Sequence, residues 1–69
     1  MKLSARNQLP ATVTGTTEGP ATTTVALDVG GQRLVASITT EAAQELGLAA
    51  GSEVVAIIKA SDVMLATRD

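Results

Sequence analysis

Thr23-Thr24-Val25-Ala26-Leu27-Asp28-Val29-Gly30-Gly31-Gln32-Arg33-Leu34-Val35-Ala36-Ser37-Ile38, followed by Thr39-Thr40-Glu41-Ala42-Ala43-Gln44-Glu45-Leu46-Gly47, switches from an apolar period of two to a helical one. That switch decides the order of the elements. Val25, Leu27 and Val29 share one side of an extended run from Thr23 to Val29, and Leu34, Ala36 and Ile38 do so from Arg33 to Ile38. Gly30-Gly31 lies between them, and a two-residue loop of glycines supplies the positive φ angles of a tight hairpin turn. The two runs therefore pair. Between Thr39 and Gly47 the chain predicts a two-turn helix: Thr39 or Thr40 caps it, Glu41 suits the first turn, Ala42, Ala43 and Leu46 form its apolar stripe, and Gly47 ends it.

Working outward, Leu9, Ala11 and Val13 alternate with Thr12, Thr14 and Thr16, which predicts a half-buried strand from Leu9 to Thr17. Glu18-Gly19-Pro20 makes the following corner, because Pro20 has no N–H for a ladder. Beyond the helix, Gly51-Ser52 leads into a strand from Val54 to Ile58, and a turn over Lys59 to Asp62 leads into a fifth from Val63 to Thr67. Val54-Val55-Ala56-Ile57-Ile58 and Val63-Met64-Leu65-Ala66 are apolar on successive residues, so both faces of each want burial, and the second face is a candidate subunit interface. Three strands, a short helix and two strands is the order of the OB-fold, an all-β, five-stranded Greek-key barrel with its helix between strands 3 and 4.

Composition limits what such a domain can be. With 69 residues the chain is one domain, residues 1–69, and a domain of this size buries only about 60% of the surface its unfolded chain exposes. Phe, Tyr, Trp, Cys and His are all absent, so large aromatic contacts, disulfides and a structural metal are unavailable, and association with other copies is the remaining way to complete the core. An oligomer is expected. The net charge of −2 provides no basic stripe, and without aromatic stacking platforms the nucleic-acid role common among OB domains loses its basis. No run approaches the roughly 18 apolar residues of a membrane span, and Met1 to Arg6 has no apolar signal core, so neither nucleic acid nor membrane is an expected partner and a cytoplasmic location is expected. Catalysis is disfavoured too. Without His or Cys the common general bases and thiol nucleophiles are missing, no P-loop is present, and the i,i+2 spacing of Lys59 and Ser61 gives no evident nucleophilic dyad.

What remains is a binding chemistry. Ser4-Ala5-Arg6-Asn7 and Lys59-Ala60-Ser61 each set a cation beside a hydroxyl and small residues, and donors with few acceptors suit a small, fully ionised anion. Taken singly, Arg6 and Lys59 read as solvated cations, Ser4 as an edge hydroxyl and Thr39 as a helix cap. Asn7 reads as a residue ordering the backbone around the site, Met64 as core or interface filler, and Asp28 and Glu53 as solvated strand-end charges.

Ser4-Ala5-Arg6-Asn7-Gln8-Leu9, the Thr17-Glu18-Gly19 corner, Ile38-Thr39 leading into Glu41-Ala42-Ala43-Gln44-Glu45-Leu46-Gly47-Leu48, and Lys59-Ala60-Ser61 together resemble the molbindin, or Mop, family of molybdate-binding proteins. The resemblance covers nearly the whole chain in order. It implies an OB-fold domain and a homo-oligomer, a hexamer built as a trimer of dimers. It also implies reversible binding of molybdate or tungstate at subunit interfaces, without catalysis and without another cofactor. Carried over residue by residue, the oxyanion site falls on Ser4, Ala5, Arg6, Lys59, Ala60, Ser61, Thr39 and position 42. The family often has Ser at that last position where this chain has Ala42, so one side-chain donor is lost and a backbone N–H remains. Pro20 also departs from the pattern and removes one N–H from a second class of site, leaving Gly19 as its candidate. With nothing else fused to the domain, a free-standing oxyanion store is expected. The alternative is a structural or nucleic-acid-binding OB module without oxyanion specificity.

Overall fold

The computed structural model describes residues 2–68; Met1 and Asp69 lie outside them. Four strands, β1 (Asn7–Glu18), β2 (Thr22–Val29), β3 (Gln32–Thr39) and β4 (Glu53–Ile58), form one antiparallel sheet in the order β3-β2-β1-β4. One short helix, α1 (Thr40–Leu46), joins β3 to β4. The β2–β3 hairpin turns on Gly30 and Gly31 at φ 57° and 90°, the left-handed pair that a two-residue turn demands. Its ladder then runs unbroken from Val29↔Gln32 to Thr22↔Thr39.

α1 begins as its sequence dictates. Thr39 is the N-cap, its Oγ1 accepting the Ala42 N–H at 3.1 Å, and Gly47 closes the helix in the left-handed region at φ 62°. Thr40, the other candidate cap, turns inward instead. Its N–H donates to the Ala21 carbonyl at 3.0 Å and its hydroxyl to the Gly19 carbonyl at 2.6 Å, which ties the start of α1 to the corner after β1. A Cβ on Gly19 would come within 2.7 Å of the Thr22 carbonyl oxygen, so the close approach at this corner requires glycine.

β1 is longer than its alternation predicts, and it is irregular. Between Val13 and Gly15 the register to β2 shifts by one residue, a bulge at which the Thr14 hydroxyl donates to the Ala26 carbonyl at 3.2 Å. Because one extra residue reverses which side chains face which way, Thr16 pairs opposite Val25 and lies on the helix side with Thr23, Ala43 and Leu48. Thr16 is nonetheless exposed, as its alternation with Thr12 and Thr14 predicts. The Gly51-Ser52 turn clasps the same region: the Gly51 N–H donates to the Val13 carbonyl and the Val13 N–H to the Ser52 carbonyl, each at 2.8 Å.

The buried core is small. Ala11, Val13, Val25 and Leu27 are its buried apolar residues, with Leu34, Ala36, Ile38, Leu48, Val54 and Ala56 packed partly against them. The fifth strand expected over Val63 to Thr67 does not join this sheet. Ala60–Asp62 form a 3-10 turn, residues 63–67 join no ladder, and Met64 and Leu65 stand 93% and 94% exposed. A five-stranded barrel is therefore not closed by this chain, and β3 and β4 remain its two edges. The physical reason lies in the segment itself: four successive apolar residues need cover on two faces, and the thin core has only one to offer.

Candidate functional site

The two cation-bearing segments come together through β1 and β4. Their ladder runs from Thr12↔Glu53 to Asn7↔Ile58, so Arg6 and Lys59 flank its last rung, just beyond the ends of β1 and β4. Asn7 holds this end in place, its Nδ2 donating to the Ile58 carbonyl at 3.1 Å, the ordering role its position suggests. Ser4, Arg6, Lys59, Ala60 and Ser61 are all exposed, and Ala5 is half-buried. Among the described residues, neither the Arg6 guanidinium nor the Lys59 ammonium pairs with a carboxylate. This end of the sheet is thus a cluster of donors whose positive charge is not answered by a carboxylate among the described residues.

Thr39 and Ala42 lie elsewhere. Thr39 pairs with Thr22 at the far end of the β2–β3 ladder, beside the Glu18 end of β1, whereas Arg6 precedes the Asn7 end. The twelve residues of β1 lie between them along the strand, a contour of roughly 40 Å at about 3.3 Å per residue. The candidate residues thus fall in two groups, one beside each end of β1.

Bonding at the second group decides what it can still donate. The Ala42 N–H is engaged by Thr39 Oγ1, and the Thr40 N–H by Ala21; Thr39 is exposed and its hydroxyl, an acceptor in the cap bond, retains its own proton to donate. Gly19 is engaged in both directions: its N–H donates to the Thr22 carbonyl at 2.9 Å and its carbonyl accepts from Thr40. As it stands, Gly19 therefore has no backbone donor to offer a second anion. The sequence reading missed what fixes this corner, a proton chain through Thr23 and Thr40. Thr23 is 2% exposed, with Oγ1 2.9 Å from Thr40 Oγ1. Its signal was present, since Thr23 occupies a core-side position of the alternation that Val25 and Leu27 continue.

Among the described residues there is no group of three or more His, Cys, Asp or Glu that could hold a metal ion. No helix is long and apolar enough to cross a membrane.

Comparison with known proteins agrees with the fold and the motifs. The TOBE domain model matches residues 3–65. The chain is 41% identical to molybdenum-pterin-binding protein 1 of Clostridium pasteurianum over 66 residues, covering 94% of this chain and 97% of that one. It is 46% identical to the molybdenum transport protein ModE of Herbaspirillum seropedicae over 68 residues, 97% of this chain, but spans only 25% of that longer relative. The solved structure of a molybdate-binding protein from Sporomusa ovata superposes with a TM-score of 0.93 at 36% identity, covering 97% of this chain and all of that one. A family model over nearly the whole length and relatives well above 30% identity, one matched almost end to end, leave one assignment: the chain belongs to the TOBE-domain family and, within it, to the molbindin or Mop proteins.

Proposed function

We propose that this protein binds and stores molybdate or tungstate in the cytoplasm as a homo-oligomer, a hexamer arranged as a trimer of dimers, and does no catalysis. The observation that carries the reading is the rung Asn7↔Ile58, which Arg6 and Lys59 flank with no carboxylate among the described residues to answer them. The names of the relatives supply the anion class: a Clostridium relative is a molybdenum-pterin-binding protein and the Sporomusa structure is that of a molybdate-binding protein.

A tetrahedral dianion needs donors on every side. In this reading Ser4, Ala5, Arg6, Lys59, Ala60 and Ser61 of one subunit cover one side, and Thr39 with Ala42 of a neighbour covers the other. Arg6 and Lys59 supply charge, Ser4, Ser61 and Thr39 supply hydroxyl protons, and Ala5 and Ala60 supply N–H groups on residues small enough to let the anion approach. Ala42 acts here by holding Thr39 Oγ1 in place through its N–H. Since each chain carries one half of each kind, a closed oligomer holds one complete site per subunit. Calorimetric titration with sodium molybdate tests this: saturation near one anion per subunit is expected, and the absence of saturable heat with both molybdate and tungstate would overturn it in favour of a structural or nucleic-acid-binding module.

A further inference from the structure

Two adjacent threonines at the start of α1 face opposite ways. Thr39 is exposed and its hydroxyl caps the helix by accepting the Ala42 N–H at 3.1 Å, whereas Thr40 is half-buried and turned towards the corner after β1. Three bonds hold Thr40 there. Its N–H donates to the Ala21 carbonyl at 3.0 Å, its hydroxyl to the Gly19 carbonyl at 2.6 Å, and its Oγ1 accepts the hydroxyl of the buried Thr23 at 2.9 Å. The acceptor is itself fixed, because the Gly19 N–H donates to the Thr22 carbonyl at 2.9 Å across a corner too tight for any Cβ.

The helix depends on that clamp. Seven residues fall well short of the roughly 12–15 that an isolated helix needs in water, so α1 must be held by contacts outside itself. Its apolar side supplies few: none of its residues is fully buried, and Leu46 stands 68% exposed. The bond from Gln44 Nε2 to Glu18 Oε1, at 3.3 Å, is exposed, and water replaces such a bond at little cost. The Ala42 N–H that orients the Thr39 hydroxyl belongs to the first turn of α1, so whatever fixes that turn also fixes the hydroxyl.

From this we infer that Thr40, supported by Thr23, is a positioning residue for the oxyanion: it holds the first turn of α1 against the Gly19 corner, so that Thr39 presents its hydroxyl in one pose before the anion arrives. Thr40 acts through Thr39 alone, since its own proton is committed to Gly19. Ordering a loose donor at the moment of binding costs affinity, and a donor already in place avoids that cost. This role rests on the proposed function, in which Thr39 contributes a donor, and adds to it two residues that do not touch the ligand.

The test is calorimetric titration of the whole chain with sodium molybdate at one subunit concentration, with circular dichroism confirming that each variant is folded at the titration temperature. Thr40→Val should raise Kd roughly 2- to 10-fold, the scale of one side chain that must be ordered on binding, and Thr40→Ser, which keeps the hydroxyl, should restore binding to within about twofold of wild type. Because Thr40→Val also strands the Thr23 hydroxyl, Thr23→Val combined with Thr40→Val serves as a second variant without that defect, and it should show the same rise. In a Thr39→Ala background Thr40→Val should weaken binding no further, because nothing is left to position. An unchanged Kd in both variants that lack the Thr40 hydroxyl, a Thr40→Ser chain as weak as Thr40→Val, or effects of Thr39→Ala and Thr40→Val that simply add would each overturn the inference, while a wild-type chain that saturates near one anion per subunit keeps the proposed function. A wild-type chain with no saturable heat overturns both.

Discussion

Replacing Thr40 by Val should destabilise this protein more than replacing Thr23 by Val, although Thr23 is the more deeply buried of the two. Each hydroxyl has one proton. Thr40 Oγ1 donates to the Gly19 carbonyl at 2.6 Å, so the 2.9 Å contact between Thr23 and Thr40 must carry the Thr23 proton. Thr23→Val removes the first donor and leaves Thr40 bonded to Gly19, a loss of about 1 kcal/mol for one net hydrogen bond. Thr40→Val removes the bond to Gly19 and also strands the Thr23 hydroxyl at 2% exposure, where an unmet polar group costs about 1–3 kcal/mol more. The sum is about 2–4 kcal/mol, which for a domain this small lowers Tm by roughly 8–32 °C at about 4–8 °C per kcal/mol. Val keeps the shape of Thr, so the comparison isolates the hydroxyls. The double variant strands no hydroxyl, losing only the bond to the Gly19 carbonyl that Thr40→Val already loses, and should be no less stable than Thr40→Val alone. Far-UV circular dichroism is the assay, since there is no aromatic residue to fluoresce, with all variants at one subunit concentration because association shifts the midpoint. A double variant that loses the sum of the two single effects would refute the proton chain.

Other expectations concern the anion. Arg6→Ala or Lys59→Ala removes a charge-assisted hydrogen bond of about 1.5–3 kcal/mol and should weaken molybdate by one to two orders of magnitude in calorimetry, while Arg33→Ala, opposite Asp28 beside the hairpin turn, should leave it unchanged. Thr39→Ala loses the cap bond to Ala42 and about 1 kcal/mol of stability, and it should also weaken molybdate; if melting falls and affinity does not, Thr39 is a cap alone. In competition titrations at constant ionic strength tungstate should match molybdate. Sulfate, smaller than the shell, should bind much more weakly, and phosphate hardly at all, because it keeps a proton that faces donors. Finally, an anion held between subunits opposes their separation, so molybdate should slow the exchange of isotope-labelled subunits followed by native mass spectrometry, and an unchanged rate would place the anion within one chain.

The elements that the sequence disclosed are those specified by neighbours along the chain. Gly30-Gly31 set the hairpin, Thr39 the helix start and Gly47 its end, each a local backbone requirement that shows in residue type. Long-range register was not legible in the same way. The pairing of Leu9 with Ala56 joins residues far apart in sequence, and the bulge before Gly15 changes which way Thr16 faces with no clear local signal. The last apolar run shows the limit most clearly. Val63-Met64-Leu65-Ala66 carries the composition of a buried strand, but composition states only that burial is wanted and is silent about which chain provides it. The site divides along the same line. That Arg6 and Lys59 lie side by side follows once the Asn7↔Ile58 rung is known, and that Thr39 lies at the other end of β1 follows only from the complete ladder.

That division has a physical logic. A donor-rich cavity complete within one small chain would hold Arg6, Lys59 and several hydroxyls close together with no acceptor whenever the anion was absent, and buried unmet donors cost about 1–3 kcal/mol each, more when charged. Here both halves are open to water, and among the described residues no buried side-chain nitrogen or oxygen lacks a partner. On the proposed reading, the free chain therefore bears little penalty for carrying an anion site in two pieces. In that reading the desolvation cost arises only when copies come together, and the anion is then present to offset it. With four buried apolar residues among those described, the domain has little stability to set against a preformed charged cavity, so a site divided between chains, as proposed, would suit a core this thin.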